Sequence, residues 1–422
     1  MIETRPKRNH ERAILIGLEQ EGVSKWDLRD SMEELAELAN SAGAEVVGTI
    51  TQKLQKPTAP YYIGKGKAEL IKDSLQDRQV TSVIFNDELS PAQGRNLENL
   101  LARKVLDRTQ LILDIFAQRA RSREGRLQIE LAQLQYLLPR LTGMWEHLSR
   151  QTGGIGMRGP GETQLEVDRR RVQERIARLE RELESVRKTR AVQRQGRKRH
   201  QWPVASVVGY TNAGKSTLLN LLTGADVVAE NRLFATLDPT TRSFTLPNKQ
   251  RVLLTDTVGF LRKLPHTLIE SFKATLEEVS EADLLIHVVD LSHARVDEQM
   301  EAVDKVTKEL DAYGKQTLIV FNKIDNLADR ELAETYVKRF SGSVAISART
   351  GEGVNKLVQA LQEALSSWRL RLHFRIPTKE SALLAEIHRV GHVLELKYEG
   401  DDAVIVAHVP PHLEAKLSRF SQ

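Results

Sequence analysis

Gly209-Tyr210-Thr211-Asn212-Ala213-Gly214-Lys215-Ser216 decides how this chain is read. The octapeptide fits the phosphate-loop pattern of Gly, four residues, Gly, Lys and then Ser or Thr. It follows the apolar run Val204-Ala205-Ser206-Val207-Val208 and precedes Thr217-Leu218-Leu219-Asn220-Leu221-Leu222, a strand and a helix in the order the motif requires. Loop N–H groups at a helix N-terminus can wrap phosphates. Lys215 would bridge the β- and γ-phosphates, and the Ser216 hydroxyl would ligate Mg²⁺. A fortuitous glycine turn has no reason to carry that strand and helix on its flanks.

Working outward, three further motifs follow, each at the carboxyl end of an apolar run. Asp256-Thr257-Val258-Gly259 comes after Val252-Leu253-Leu254-Thr255; the aspartate would hold the Mg²⁺ shell and the Gly259 amide would sense the γ-phosphate. Asn322-Lys323-Ile324-Asp325 comes after Thr317-Leu318-Ile319-Val320-Phe321. The Asp325 carboxylate can accept from guanine N1–H and from the exocyclic amine, a pair that adenine does not offer. Polar mismatches of this kind give roughly 10⁴-fold discrimination. Ser347-Ala348-Arg349 ends Val344-Ala345-Ile346 and would present an amide to guanine O6. The four motifs together imply a GTP-binding and GTP-hydrolysing switch, with Lys215, Asp256, Gly259 and Asn212 as its catalytic set.

Between the first helix and the second strand lies Phe234-Ala235-Thr236-Leu237-Asp238-Pro239-Thr240-Thr241. A hydroxyl from this loop should touch Mg²⁺ only when the γ-phosphate is present. Thr236 is preferred, with Thr240 next and Thr241 also a candidate, so the metal ligands are Ser216 and Thr236. Ras-like enzymes place a water-orienting Gln just after the glycine of the third motif, and here that place belongs to Phe260. Hydrolysis should therefore be slow until a partner, a moved loop or an ion completes the site. Asn212 stands where a subset of GTPases ligates K⁺ beside the phosphates; it either does so here or shapes the turn.

The 422 residues predict several domains. No apolar stretch reaches membrane-span length, the first residues lack the apolar core of a signal peptide, and there is no cysteine. These features exclude disulfides, thiolate catalysis and cysteine-ligated metals, and they lead to the expectation of a cytoplasmic protein. The predicted architecture is α/β, with a small parallel α/β domain over 1–120, an antiparallel helical hairpin over 121–200, a P-loop GTPase domain over 201–368 and an α+β tail over 369–422. Strands are expected at 13–18, 46–50, 83–86 and 105–107, with helices around 31–42, 66–78 and 90–102. In the hairpin, Leu127, Leu131, Leu134, Leu138, Leu141, Trp145 and Leu148 step by four and three, as do Val172, Ile176, Leu179, Leu183 and Val186. Pro139 should kink or split the first helix. Residues 152–161, rich in glycine, form its tip. From Asp168 to His200 there are thirteen Lys and Arg against five Asp and Glu, an excess larger than the whole chain's +5. That concentration suits a polyanion, or a solvated helix face.

Two stretches outside the nucleotide motifs are distinctive. Gly153-Gly154-Ile155-Gly156-Met157-Arg158-Gly159-Pro160-Gly161-Glu162, followed by Asp168-Arg169-Arg170, and Tyr62-Ile63-Gly64-Lys65-Gly66-Lys67 both resemble signatures of HflX-type ribosome-associated GTPases. Phe234-Ala235-Thr236-Leu237-Asp238 and Phe260 agree with that family. The resemblance covers nearly the whole chain. It implies binding to the large (50S) ribosomal subunit, a hairpin tip aimed at ribosomal RNA near the peptidyl-transferase centre, and separation or rescue of stalled 70S ribosomes under stress. Gly153, Gly154 and Gly159 suit close approach to an RNA backbone, and Arg158, Arg169, Arg170 and Arg171 are the candidate phosphate contacts.

Other readings stay open on the sequence. Gly64-Lys65-Gly66-Lys67 is a turn, an RNA contact or a second phosphate loop. The hairpin could dimerise a signalling GTPase, although pairing within one chain is entropically easier, which makes a monomer the default. An RNA-maturation or ribosome-assembly GTPase is the remaining alternative. None of His10, His266, His287 and His293 has ligand-like spacing.

Overall fold

The computed structural model describes residues 11–21, 25–77, 79–141, 164–199, 202–224, 233–234, 236–262, 278–368, 370–409 and 413–420. The chain folds into two compact units that divide between Ser185 and Val186. The sequence places that boundary at 200. The difference arises because one continuous helix, Gln164–Arg199, crosses it.

The first unit alternates β1 (Glu11–Glu19), α1 (Lys25–Ala42), β2 (Ala44–Lys53), α2 (Lys65–Asp77), β3 (Ser82–Phe85), α3 (Pro91–Leu101), β4 (Lys104–Asp107) and α4 (Arg108–Arg119). All strands run parallel, in the order β2-β1-β3-β4. Short apolar runs such as Val83-Ile84-Phe85 become fully buried strands because crossover helices cover the sheet. Local chemistry sets the helix starts. Ser90 and Gln93 form a reciprocal capping box at α3, with Pro91 in its first turn. Gly64-Lys65-Gly66-Lys67 leads into α2, where the Gly64 N–H donates to Gln52 Oε1 (2.9 Å) and its carbonyl accepts from Ala68 N–H (3.0 Å).

Helix α5 (Arg123–Leu141) and α6 (Gln164–Arg199) form the described part of the hairpin. Glu130 pairs with Arg175 through both oxygens (2.7 and 2.9 Å), and Arg123 lies 4.0 Å from Glu182, so the helices run antiparallel. Leu127, Leu131, Leu179 and Leu183 are buried along the predicted seams. Trp145, Leu148 and the tip with Gly153, Gly154, Arg158 and Gly159 lie outside the described residues. Where a kink or split is expected, α5 continues through Pro139, which sits in its last described turn. That turn is fixed from outside. Asp107, the N-cap of α4, accepts from Tyr136 Oη (2.6 Å) and Arg140 (3.2 Å), and Arg140 also donates to the Leu89 carbonyl (2.8 Å).

The second unit carries a six-stranded sheet in the order β10-β9-β8-β5-β7-β6. Its strands are β5 (Val204–Gly209), β6 (Thr240–Thr245), β7 (Arg251–Asp256), β8 (Leu284–Asp290), β9 (Thr317–Asn322) and β10 (Val344–Ala345); only β6 is antiparallel. The described helices around it are α7 (Lys215–Thr223), α8 (Val296–Glu309), α9 (Glu331–Arg339) and α10 (Val354–Ala364). A second sheet, β11 (Leu370–Pro377), β13 (Asp402–Val409) and β12 (His392–Glu399) in antiparallel order, buries Phe374, Ile376 and Ile405 with Ile387 of α11 (Ser381–Val390). It groups with this unit. Lys249, in the β6–β7 turn, donates to the His388 carbonyl (2.6 Å). Among the described residues, no helix is long and apolar enough to cross a membrane.

Two positions make the second unit sensitive to change. Gly209 has φ +151°, and a Cβ there would lie 2.2 Å from the Val288 carbonyl oxygen in the neighbouring strand. Gly209→Ala should cost about 3 kcal/mol, read as a lowered unfolding temperature of this unit; an unchanged value would show that the strand can move aside. His287 in β8 is 4% exposed. Burial, helped by the charge of Lys215, pushes its pKa down from 6.5 to about 4. A group held neutral in the folded state contributes stability that is complete above pH 6.5 and disappears as pH falls toward 4. The expected loss is about 1.4 kcal/mol per pH unit in that window, and His287→Asn should flatten this acid limb in denaturant titrations.

Candidate nucleotide site

The carboxyl ends of β5, β7, β9 and β10 meet at the point where the strand order turns back on either side of β5, the place where open α/β sheets bind ligands. Here the phosphate loop leaves β5 and enters α7. Gly214, with φ +94°, caps that helix, and a Cβ on it would meet Asn322 Nδ2 at 2.3 Å. Asn212 also has a left-handed φ of 60° and is exposed.

Lys215 is 7% exposed, and its ammonium donates to the carbonyls of Tyr210 (2.7 Å) and Gly209 (3.2 Å). Burial, with a smaller push from Lys323, lowers its pKa to about 8 against the pull of Asp256. Its charge is thus poorly compensated, and a phosphate would compensate it. Beside it, Ser216 Oγ donates to Asp256 Oδ2 (2.6 Å) and lies 2.9 Å from Thr236 Oγ1. Asp256 is fully buried, and its Oδ1 has no hydrogen-bond partner. Burial raises its pKa despite the hydrogen bonds it receives. Two hydroxyls, Ser216 Oγ and Thr236 Oγ1, gather at an under-compensated carboxylate, a hard-oxygen set that fits Mg²⁺. The other two candidate threonines lie in β6: Thr241 Oγ1 is 3.0 Å from Thr255 Oγ1, and Thr240 Oγ1 donates to the Asp238 carbonyl at 3.5 Å. β6 begins at Thr240, so of the three candidate threonines Thr236 is the one beside Ser216 Oγ.

Asn322 ties the base-reading loops to the phosphate loop. Its Nδ2 donates to the Ala213 carbonyl (2.8 Å), and its Oδ1 accepts from Ala348 N–H (2.9 Å). Lys323 has φ 64° and pairs with Asp290 (2.7 Å). Asp325, 11% exposed at its side chain, pairs with Arg349 (2.8 Å). The Ser347 and Ala348 amides donate to Glu352 O and Asn322 Oδ1 (both 2.9 Å). Gly259 lies against the loop: a Cβ on it would meet Thr211 Cα at 2.8 Å and Lys215 Nζ at 2.9 Å.

Several predicted residues have buried side chains. Phe234, Leu237 and Val258 are buried, and Thr257 Oγ1 donates to the Val207 carbonyl (2.6 Å). Ala235 lies outside the described residues. Phe260 is 2% exposed; its N–H donates to Gly209 O (3.1 Å) and its carbonyl accepts from Thr211 N–H (2.8 Å). The side chain that replaces the water-orienting Gln is therefore in the core. Sequence reading passed over Arg262, Glu298 and Asp290, whose pairings depend on which loops meet in space.

A mostly parallel sheet with a phosphate loop, a hydroxyl–carboxylate cluster beside its lysine and the Asn322-Lys323-Ile324-Asp325 loop at a strand end is the arrangement of a P-loop GTPase. Comparison with known proteins agrees. Residues 204–323 match the family described as 50S ribosome-binding GTPase, residues 29–117 the GTP-binding GTPase N-terminal family and residues 119–197 the GTP-binding GTPase middle region. GTPase HflX of Caldanaerobacter subterraneus subsp. tengcongensis is 47% identical over 98% of this chain and 94% of its own length. GTPase HflX of Escherichia coli K12 is 47% identical over 90% of this chain and 89% of its own. Among solved structures, SsGBP in complex with GDP matches with a TM-score of 0.50 and 27% identity, over 84% of this chain and 98% of that one. The chain belongs to the HflX family of GTPases.

Proposed function

We propose that this GTPase binds the large ribosomal subunit in its GTP state and uses the nucleotide cycle to split or rescue stalled 70S ribosomes, acting as a monomer in the cytoplasm. The observation that supports this reading best is the hairpin. Arg169, Arg170 and Arg171 are exposed in the early turns of α6, next to the chain segment that joins its two helices. Arg170 lies 3.7 Å from Glu174 and Arg171 3.6 Å from Asp168, in solvent-exposed pairs that RNA phosphates could replace. The match of residues 204–323 to a 50S ribosome-binding family points to the same partner.

In the site, Asp325 selects guanine, and Asn322 holds the base-reading loop against the phosphate loop. Lys215 leaves the loop carbonyls for the β- and γ-phosphates. Ser216 and Thr236, with Asp256 behind them, would hold Mg²⁺, which when bound supplies positive charge to the phosphate oxygens. Thr236 lies on the strand-entry loop and Gly259 at the start of the next one, so loss of the γ-phosphate releases both. With Phe260 buried, the attacking water lacks its usual orienter, and intrinsic turnover is slow. Asn212, exposed in the phosphate loop, is the residue that would ligate K⁺.

Sucrose-gradient profiles of 70S ribosomes with the protein test this reading. A shift to free 50S and 30S with a non-hydrolysable GTP analogue, and none with GDP, is expected. Binding without dissociation would favour the ribosome-assembly or RNA-maturation reading instead.

A further inference from the structure

Thr211 stands inside the phosphate loop with a hydroxyl that the fold itself does not use. The residue is 6% exposed, and its Oγ1 is buried with no hydrogen-bond partner among the described residues. Its main-chain N–H is already committed, donating to the Phe260 carbonyl (2.8 Å). The hydroxyl is therefore the donor this residue has left to offer a ligand. Burying a hydroxyl without a partner is unfavourable, and valine would fill the same space without that cost.

Its neighbours say which part of the nucleotide it meets. A Cβ on Gly259 would lie 2.8 Å from both Thr211 Cα and Thr211 Cγ2, and 2.9 Å from Lys215 Nζ. The threonine side chain, the glycine whose amide would sense the γ-phosphate and the ammonium that would bind it gather at one place. Gly259 packs directly on the threonine, so a shift of Gly259 to bond the γ-phosphate opens the side chain to the same phosphate. A hydroxyl there can donate to a γ-phosphate oxygen and accept from an O–H of the attacking water at once. Orienting that water is the task of Gln in Ras-like enzymes, and Phe260, buried in the core, cannot perform it.

We propose that Thr211 Oγ1 is a further catalytic group, which holds the attacking water against the γ-phosphate. As the water oxygen bonds to the γ-phosphorus, the bond from that phosphorus to the β–γ bridging oxygen breaks. Its electron pair stays on the GDP β-phosphate, and both water protons leave with the phosphate product. Thr211 ends with the proton it began with, so it orients the water and is not its base. This chemistry needs no ribosome, and its test is run without one.

Single-turnover GTP hydrolysis at saturating nucleotide reads the role. Thr211→Val, which keeps the shape and removes the hydroxyl, should slow the chemical step roughly 100-fold. Thr211→Ala should do the same, while Thr211→Ser, which keeps the hydroxyl, should stay within a few-fold of wild type. Affinity for a fluorescent GDP analogue should be unchanged in all three, because GDP lacks the phosphate that the hydroxyl meets. Without nucleotide, Thr211→Val should unfold at the wild-type temperature or above it, since the group removed has no partner to lose. The inference is overturned if Thr211→Val and Thr211→Ala turn over within a few-fold of wild type, or if Thr211→Ser is as slow as they are. It is equally overturned if GDP affinity falls along with the rate, or if Thr211→Val melts below wild type, as it would for a hydroxyl that only shapes the loop.

Discussion

Asp325→Asn should lower affinity for GTP by roughly 10⁴-fold and turn preference toward XTP. The Asp325 side chain is 11% exposed, so few water molecules can repair a mismatch there. Arg349 holds Oδ2 at 2.8 Å and fixes the carboxylate plane. Guanine presents two donors to that plane, at N1 and at the exocyclic amine, and both need acceptors. An Asn side chain presents one acceptor and one donor, and the donor faces a guanine N–H. Xanthine carries a carbonyl where guanine carries the amine, which reverses the match. Competitive displacement of a fluorescent guanine nucleotide by GTP and XTP measures the effect directly. GTP affinity within a few-fold of wild type would remove Asp325 from base reading.

Lys215→Ala should reduce turnover by about 10³-fold and erase most of the thermal stabilisation that GDP confers. The ammonium is buried, bonded to the Gly209 and Tyr210 carbonyls, and has its pKa lowered to about 8. A poorly compensated charge of this kind gives the empty protein little stability. The alanine variant should therefore unfold at a temperature close to wild type when empty. The gap should open only on adding nucleotide, because the phosphates have lost their buried counter-charge. A variant that melts early without nucleotide would instead make Lys215 a structural residue of the loop.

The chemistry of the second unit was legible in the sequence because each motif has a local physical reason. Gly214 leaves no room for a side chain, because a Cβ on it would lie 2.3 Å from Asn322 Nδ2, and four short apolar runs lead into the four motifs. The hairpin was legible through its seams, and Glu130–Arg175 fixes the antiparallel register those seams imply. What escaped depended on register and packing. The onset of β6 at Thr240 could not be read from a run as polar as Thr240-Thr241-Arg242-Ser243, yet it places two of the three candidate threonines in a strand rather than in the loop with Thr236. Likewise, Phe260 reads as a substitution in a catalytic place, whereas the fold buries it under the phosphate loop and leaves Arg262 at the surface. The staple of Asp107 to Tyr136 and Arg140, which fixes the end of α5, joins residues about thirty positions apart and leaves no local mark.

The central claim is that GTP switches this protein onto the large ribosomal subunit. Sedimentation of the purified protein with 50S subunits, comparing a non-hydrolysable GTP analogue with GDP and following GTP turnover in parallel, tests it most directly. Co-sedimentation confined to the analogue, with turnover strongly stimulated by 50S, is the predicted result. Equal binding in both nucleotide states, or none in either, would contradict a GTP-controlled ribosomal switch.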